Sequence, residues 1–215
     1  MSGRQSWLRP VTPELDEDLL AALEGGATYV HRVWEAASVA VVLGRGTSAE
    51  REVRRDVCAA EGVPVLRRKG GGGAVVLGPG CLVVSLAAEV GRELDVGGYL
   101  DAIAGVLADV LGRLTALPLR PRGTGDVCLG DRKVLGSSLF RRRRLLFYQA
   151  SLLHSMDLGP VERLLAHPAR EPAYRCGRSH REFLATLQDA GAGLSAADLC
   201  EALDVTLPEL RSRLR

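Results

Sequence analysis

The chain has 215 residues, the size of one domain or of one domain with a small appendage. Hydrophobic residues make up 47% of it and charged residues 25%, a balance that excludes an intrinsically disordered chain. The net charge of +2 does not indicate nucleic-acid or membrane binding, and every apolar stretch ends well before the ~20 residues of a membrane span. We expect one domain over residues 1–215, with no nucleic-acid and no membrane partner.

The cysteines and the N-terminus indicate a cytoplasmic protein. The five cysteines are dispersed, without a CxxC pair or zinc-ligand spacing, so the sequence predicts free thiols in a reducing compartment and assigns no metal ligands. Residues 1–5 are polar, and no apolar run of the kind found in export signals follows them.

The first half of the chain is predicted to alternate helices with short strands. Apolar residues at helical spacing predict helices over 13–24 and 49–61, and glycines follow both. Apolar runs with turn-forming residues beside them predict strands over 28–34, 38–43, 63–66, 74–77 and 82–87.

The second half contains the clearest amphipathic helix, predicted over 98–117 with six apolar residues on one stripe. A hairpin is predicted over 125–134 with its turn at Gly130-Asp131, and a strand over 145–154. After Pro160 the pattern becomes helical, over 161–166, 180–190, 195–203 and 208–214. These elements predict a mixed α/β domain with a helical C-terminal segment over about 160–215 and no separate accessory domain.

A basic, glycine-rich loop lies between the strands predicted at 63–66 and 74–77. It reads Arg67-Arg68-Lys69-Gly70-Gly71-Gly72-Gly73. Consecutive glycines let backbone N–H groups approach a ligand closely and surround an anion, and three adjacent cations favour a phosphate or a carboxylate. The other interpretation is a flexible surface linker, which the apolar strands on both sides disfavour. The loop matches neither a P-loop nor a dinucleotide-binding fingerprint, because their spacings differ.

Lysine is rare in this chain: only Lys69 and Lys133 occur among 28 basic residues. The compact ammonium of lysine can follow a moving carboxylate or phosphate, whereas arginine offers a rigid fork. Lys133 follows the predicted hairpin turn, and the small residues Gly136 and Ser137 leave room for a ligand beside it. A solvated charge at a strand edge fits the same pattern. Asp126, in the same segment, is either a partner for an amine or a turn cap.

Both segments resemble motifs of the lipoate–protein ligase and octanoyltransferase family. The glycine-rich loop, followed by Ala74 and Val75, is similar to the family's RRxSGGGAV. Residues 125–138 are similar to ND-x-x-x-DGRKI-x-G-S-A. A third stretch is similar to the family's W…SxGRxQ…EVN: Trp34, Gly44-Arg45 and Glu52-Val53. Three motifs in the same order over most of residues 30–160 make the resemblance specific.

The resemblance implies a mixed β-sheet flanked by helices, as in the catalytic domains of biotin ligases and class II aminoacyl-tRNA synthetases. It implies that lipoate or octanoate reacts with ATP, escorted by Mg²⁺, to an acyl-adenylate. A lysine of a lipoyl carrier domain, either a glycine cleavage H-like protein or a 2-oxoacid dehydrogenase E2-like domain, then takes the acyl group. Lys133 is the implied catalytic residue, stabilising the charge that develops. The implied substrate- and nucleotide-binding residues are Arg45, Arg67, Arg68, Lys69, Gly70, Gly71, Gly72, Gly73, Ala74, Asp126, Gly136 and Ser137.

Cys176 supports an alternative within the same family. It lies in Tyr174-Arg175-Cys176-Gly177-Arg178, which resembles the Cys-Gly segment of some octanoyltransferases. Those enzymes need no ATP, because a thiol takes the acyl group from a carrier thioester and passes it to the target lysine. The neighbouring arginines favour a thiolate, although an ordinary cysteine at a loop-to-helix junction fits the pattern as well.

Two departures from the family pattern leave further alternatives. Val76-Leu77-Gly78 replaces a polar, histidine-containing trio that usually follows the glycine loop. The residues after His154 are too few for the accessory domain of many ligases, so that domain is either dispensable or supplied by a separate subunit. A catalytically inactive subunit that holds the carrier domain or an acyl ligand is therefore the third interpretation.

Overall fold

Two β-sheets form the framework of this computed structural model, which describes residues 7–91 and 94–214. The larger sheet has the order β1-β2-β6-β10-β9-β8-β7, and the smaller one the order β4-β3-β5. The pairs β1–β2 and β3–β4 are parallel and the other pairs antiparallel, so both sheets are mixed. The strands are β1 (Leu8–Arg9), β2 (Tyr29–Ala36), β3 (Ala40–Leu43), β4 (Val65–Arg67), β5 (Val75–Leu77), β6 (Cys81–Glu89), β7 (Leu119–Arg122), β8 (Asp126–Leu129), β9 (Arg132–Arg142) and β10 (Leu145–Leu153).

Helices cover the larger sheet. The long helix α4 packs on one of its faces together with the C-terminal helices, and α1 packs on the other face. The helices are α1 (Asp18–Glu24), α2 (Ala49–Glu52), α3 (Arg55–Ala60), α4 (Val96–Thr115), α5 (Gly159–Leu164), α6 (His180–Phe183), α7 (Ala196–Thr206) and α8 (Leu210–Arg213). The predicted fold class, a mixed sheet flanked by helices, is confirmed.

The side chains of β6 alternate between two hydrophobic cores, one on each face of the larger sheet. Leu82, Val84 and Leu86 belong to the core shared with α4 and α7. Cys81 and Val83, on the opposite face, belong to the core shared with the smaller sheet. Successive side chains of a strand point to opposite faces, so one buried strand serves two layers. The smaller sheet therefore lies over one face of the larger sheet, and the candidate site lies between them.

The predicted helix over 13–24 is wrong in its first part. Helix α1 begins only at Asp18, and the preceding residues form turns in which Leu15 and Asp16 have φ values of 44° and 62°. The left-handed region is unfavourable for a leucine, so tertiary contacts must impose it. Those contacts are hydrogen bonds from the larger sheet to Asp16 and to the carbonyl of Leu15.

The predicted helix over 49–61 is interrupted. Val53 is extended, with a φ of −126°, and forms an isolated bridge with Leu165. The backbone N–H of Arg54 donates to the carbonyl of Leu164, and that of Ala166 donates to the carbonyl of Glu52. Pairing with a distant segment replaces the helical hydrogen bonds at this point, and hydrophobic periodicity contains no information about such pairing.

The predicted helix over 180–190 is also wrong, because α6 ends at Phe183. The chain continues extended, and its N–H groups donate to carbonyls near strand ends: Ala185 to Lys133, Leu187 to Leu153. Strands β1 and β7 and the part of β9 beyond residue 135 were not predicted. Residues 1–5, whose polarity entered the sequence interpretation, lie outside the described residues. No helix among the described residues is long and apolar enough to cross a membrane, and the cytoplasmic location stays a prediction.

Burial of His180 predicts a stability that depends on pH. Burial, reinforced by the charge of Arg175, lowers the pKa of His180 from 6.5 to about 4. Between these values the unfolded chain binds a proton that the folded chain does not, so stability falls as the pH drops from about 6.5 to 4. We expect wild type to lose roughly 2 kcal/mol of unfolding free energy between pH 7 and pH 4.5 relative to His180→Gln. Urea unfolding at both pH values measures this, with the exposed His167→Gln as the control; equal losses in wild type and His180→Gln would contradict it.

Candidate functional site

A cleft of about 890 Å³ lies between the two sheets. The side chains that line one part of it belong to the core beneath the smaller sheet, and we call this part the apolar end: Leu15, Trp34, Val42, Leu77 and Val83. The residues at the start of β8 and β9 line another part, which we call the polar end: Gly123, Thr124, Asp126, Lys133 and Gly136. Residues 71–74 of the glycine-rich loop also line the cleft. Space for an aliphatic tail therefore adjoins polar groups suited to an anion.

Arg68 shapes the glycine-rich loop from inside. Its side chain is buried, and it donates to main-chain carbonyls: Nε and Nη2 to Gly71 at 3.2 and 2.7 Å, Nη2 to Gly73 at 2.9 Å, and Nη1 to Val42 at 3.1 Å. Burial lowers the pKa of Arg68 to about 10, which leaves it charged near neutral pH. A guanidinium has five N–H donors, and these four bonds occupy most of them. Arg68 is therefore placed to hold the loop more than to meet a phosphate.

Glu52 holds the other end of the loop, and it was not predicted as a site residue. Its carboxylate is buried, and Oε2 accepts a 2.8 Å hydrogen bond from the backbone N–H of Ala74. The charge of Arg68 lies near enough to interact with it. Glu52 belongs to the third motif of the family resemblance, and that motif is the sequence feature that could have identified it as a site residue.

The glycine-rich loop rests closely against the chain that follows β3. The backbone N–H of Arg45 donates to the carbonyl of Gly70 at 2.8 Å, and Thr47 Oγ1 donates to the carbonyl of Gly72 at 2.7 Å. Gly72 has a φ of +89°, a conformation for which glycine is the suitable residue. A Cβ atom added at Gly44 would overlap the carbonyl oxygen of Gly72. This contact fixes the position of the loop at the wall of the cleft.

Replacing Gly44 with alanine is expected to destabilise the protein by about 2 kcal/mol, because the added methyl group meets rigid main chain. For a chain of this size, that lowers the melting temperature by roughly 4–8 °C. Gly46→Ala is the matched control, since a Cβ atom there has no neighbour within 4 Å. Calorimetry on both variants checks the prediction, and equal melting temperatures would contradict it.

Lys133 is held by a carboxylate at the polar end. Its Nζ lies 2.7 Å from Asp126 Oδ1, and Tyr174 Oη donates to Asp126 Oδ2 at 2.7 Å. Burial, with the Asp126 carboxylate beside it, raises the pKa of Tyr174 above its usual range, so the phenol keeps its proton. The thiol of Cys128 donates to Tyr174 Oη at 3.5 Å, and burial raises its pKa as well. The amine of Lys133 is thus held beside Asp126 at the lining of the cleft.

Tyr174 was not predicted to belong to the site. Its ring lies between the guanidinium of Arg122, 4.6 Å from the ring centroid, and the ring of Phe183, 5.2 Å away between centroids. Gly123 packs against its edge, where a Cβ atom would come within 3.1 Å of the ring. Tyr174 and Asp126 are 48 residues apart in the sequence, and a local motif does not predict a contact at that separation.

The small residues Gly136 and Ser137 lie beside Lys133, and the missing side chain of Gly136 provides the space for its amine. A Cβ atom at Gly136 would lie 2.5 Å from Lys133 Cε and 2.6 Å from Nζ. Ser137 Oγ donates to the carbonyl of Gly125 at 2.6 Å, which ties β9 to the turn before β8. The structure therefore brings together nine of the sequence-assigned residues along the cleft: Arg68, Gly71, Gly72, Gly73, Ala74, Asp126, Lys133, Gly136 and Ser137.

Four other assigned residues do not line the cleft. Arg67 turns away from it and donates through Nη1 to the carbonyls of Gly44, Arg45 and Thr47. Arg45 is exposed, and Lys69 pairs through Nζ with Glu17 Oε2 at 2.7 Å. The fourth, Gly70, packs under the loop against Ser138 of β9.

Cys176 also lies outside the lining of the cleft. It is exposed, with a φ of 52°, and its thiol donates to the carbonyl of Ala173 at 3.2 Å. Arg175 is engaged with Glu171 and with the carbonyl of Arg178. Arg178 in turn pairs with Asp131 at 2.9 Å. The neighbouring guanidinium groups thus have partners other than the thiol.

Known proteins resemble this chain in sequence and in fold. A family model described as the lipoyl protein ligase A/B catalytic domain matches residues 11–207. A relative from Aeropyrum pernix, named "Putative lipoate-protein ligase A", is 32% identical over 151 residues, which are 70% of this chain and 56% of that protein. A structure from an archaeal lipoylation system of Thermoplasma acidophilum, a bi-partite lipoate protein ligase with its E2 lipoyl domain, has a TM-score of 0.77 and 23% identity over 95% of this chain and 83% of that one. A lipoate-protein ligase A solved with ATP has a TM-score of 0.77 and 22% identity over 97% and 86%.

The structural likenesses show the fold, and the family model shows the family, since its match covers most of the chain. The chain spans little more than half the length of the Aeropyrum relative, 56% of it. The expected resemblance to lipoate–protein ligases is confirmed: the chain belongs to the lipoyl protein ligase A/B catalytic domain family.

Proposed function

We propose that this chain activates lipoate or octanoate with ATP to an acyl-adenylate and transfers the acyl group to a lysine of a lipoyl carrier domain. The observation that carries the proposal is one continuous cleft with the ammonium of Lys133 at its polar end and an apolar end lined by core residues. A fatty acid or lipoic acid has the same division into an anionic head and an apolar tail.

The first step joins the acid to the nucleotide. A carboxylate oxygen attacks the α-phosphorus of ATP, the bond to the pyrophosphate breaks, and the acyl-adenylate remains. Lys133 stabilises the negative charge on the carboxylate and phosphate oxygens, a contribution of several kcal/mol when the charge is held in place beforehand. Backbone N–H groups of residues 71–73 are suited to the same oxygens.

The second step transfers the acyl group. The amine of the carrier lysine attacks the acyl carbon, the C–N bond forms, and AMP leaves with the electrons of the broken C–O bond. The amine must lose protons in this step. Asp126 is the carboxylate nearest to Lys133, at 2.7 Å, and we assign it the role of orienting the amines and accepting a proton.

Mg²⁺ is proposed to enter with the nucleotide. Among the described residues, no group of three or more His, Cys, Asp or Glu side chains is placed to hold a metal ion. A cation that binds mainly to substrate phosphates needs few protein ligands, because Mg²⁺ retains waters and takes phosphate oxygens readily.

A lipoyl carrier domain is the proposed partner, and a separate accessory subunit is proposed to complete the enzyme. The Thermoplasma system supports both, since it consists of a bi-partite lipoate protein ligase and its E2 lipoyl domain. An E2-like domain and a glycine cleavage H-like protein are the two carriers to compare.

The ATP-independent transferase that uses Cys176 is the competing activity, and the position of that thiol outside the cleft lining disfavours it. Intact mass spectrometry of an apo lipoyl domain separates the two. One reaction contains octanoate or lipoate with ATP and Mg²⁺, and the other contains octanoyl-carrier thioester without ATP. We expect acylation in the first reaction only, and equal acylation by Cys176→Ser.

Acylation from the thioester that Cys176→Ser abolishes would replace the ligase with the transferase. The assay is repeated with a candidate accessory subunit added. No acylation in any reaction, with either carrier, would favour the inactive, ligand-holding subunit.

A further inference from the structure

A strained turn contributes to the lining of the apolar end of the cleft. Leu15 and Asp16 are consecutive residues with φ values of 44° and 62°, and the side chain of Leu15 lines the cleft while being 4% exposed. Two successive left-handed residues that are not glycine persist only where their surroundings over-determine them. A turn needed for chain reversal alone is served by glycine or asparagine. Chain reversal alone therefore does not account for a leucine at this position, whereas a contact of its side chain with the cleft does.

Asp16 supplies the contacts that hold this turn. Its carboxylate accepts three hydrogen bonds of 2.7 Å each: Oδ2 from Trp34 Nε1 and Ser85 Oγ, and Oδ1 from Arg32 Nη1. The donors stand on β2 and β6, two neighbouring strands of the larger sheet. A buried carboxylate is costly unless it is paired and hydrogen-bonded, and here both oxygens have partners.

The carbonyl of Leu15 has its own anchor on the same sheet. Gln149 Nε2, on β10, donates to it at 2.6 Å, and Gln149 also lines the cleft. The turn is thus attached to β2, β6 and β10, three adjacent strands of the larger sheet. Glu17, the next residue along the chain, pairs with Lys69 of the glycine-rich loop at 2.7 Å.

Strand β9 shows how the turn is placed relative to Lys133. Ser138 is the register partner of Gln149, which holds Leu15, and Lys133 lies five residues earlier on the same strand. Five residues of strand span roughly 16 Å. Gly136 and Ser137 line the cleft between these points. A carboxylate at Lys133 with its chain along β9 therefore has Leu15 ahead of its far end.

We propose that Asp16 is a positioning residue that fixes Leu15 as the end wall of the acyl site and so sets the longest acyl chain that this enzyme accepts. The inference rests on the proposed function, because it takes a straight-chain carboxylic acid as the ligand of the cleft. Asp16 acts through Leu15 and Trp34, both of which line the apolar end, and does not line the cleft itself.

The test is equilibrium binding of straight-chain acids, from hexanoate to tetradecanoate, measured by calorimetry on the full chain without ATP. Wild type is expected to bind one length best and to reject acids two carbons longer. Leu15→Ala opens the wall, and we expect affinity for the longer acids to rise by about four-fold for each added methylene that is buried.

The discriminating variants are Ser85→Ala and Asp16→Asn. Ser85 is fully buried and does not line the cleft, and its hydroxyl donates to Asp16 Oδ2, so its removal is expected to reach an acid through Asp16. Asparagine tolerates the left-handed backbone at position 16 but loses the charge that pairs with Arg32. In both variants the preference for the optimal acid over one two carbons longer is expected to fall at least three-fold.

Asp18→Asn is the matched control, because Asp18 pairs with the same Arg32 but is exposed. Its length preference is expected to equal that of wild type. Equal loss of affinity at every length in Ser85→Ala would overturn the inference, as would an unchanged preference in that variant. If wild type binds none of the acids, both the inference and the proposed function fail. If wild type binds them and the length preference is the same in Asp16→Asn and Ser85→Ala, only the inference fails.

Discussion

Replacing Lys133 with alanine is expected to lower the rate of acyl transfer by about 10³-fold, because the ammonium is the one preorganised positive charge at the polar end that we assign to the reacting oxygens. The substitution also leaves the partly buried Asp126 without its cation, which places an uncompensated negative charge beside an anionic substrate. The measurement is the initial rate of acylation of an apo lipoyl domain, followed by intact mass with saturating ATP and acid.

Lys133→Arg separates charge from geometry. The planar fork of arginine is bulkier than an ammonium and not interchangeable with it, so we expect this variant to lose at least ~10²-fold as well. Arg163→Ala removes a surface cation that pairs with Glu61, and it is the control for a general effect of charge. Wild-type rates in Lys133→Ala would remove this residue from the mechanism.

Replacing Gly136 with alanine is expected to lower the same rate by about 10²-fold while the fold is retained. The added methyl group would lie 2.5–2.6 Å from Cε and Nζ of Lys133, and a flexible side-chain end moves away more easily than main chain does. The ammonium is then displaced from its place beside Asp126. A displacement of about 1 Å in a reacting group is sufficient for losses of this size.

The loss in Gly136→Ala is expected in kcat, since the variant disturbs the charge that acts in the transition state. Gly193→Ala is the control, because a Cβ atom there has no neighbour within 4 Å. A melting temperature close to that of wild type would confirm that the effect is local. Wild-type activity in Gly136→Ala would contradict the prediction, because acyl transfer would then not depend on the position of the Lys133 amine beside Asp126.

Residues that line the cleft could be predicted from the sequence where unusual residue types stand close together in the chain. Four glycines after two arginines, and a rare lysine before Gly136 and Ser137, are local patterns, and both segments do line the cleft. Most of the strands were predicted, because alternating or continuous apolar runs mark a buried sheet directly. Helices α2 and α6 were predicted too long, since their ends are set by pairing with residues more than 40 positions away.

Individual orientations in the glycine-rich loop were not predictable from composition. Arg67 and Arg68 are chemically identical neighbours, yet successive residues of an extended chain face opposite sides. Arg68 is buried within the loop, whereas Arg67 binds carbonyls after β3. Tyr174 was missed for a related reason, because its contact with Asp126 is created by folding alone.

The interruption of the helix at Val53 has a mechanical consequence for the cleft. Glu52 holds Ala74 of the glycine-rich loop through its carboxylate and Ala166 through its carbonyl. The residues after Ala166 lead directly into residues 168–175, several of which also line the cleft. Glu52 thus links the glycine-rich loop to the segment that contributes residues 168–175 to the cleft. A displacement of the glycine-rich loop is therefore expected to reach the segment after Ala166 through Glu52, and the reverse.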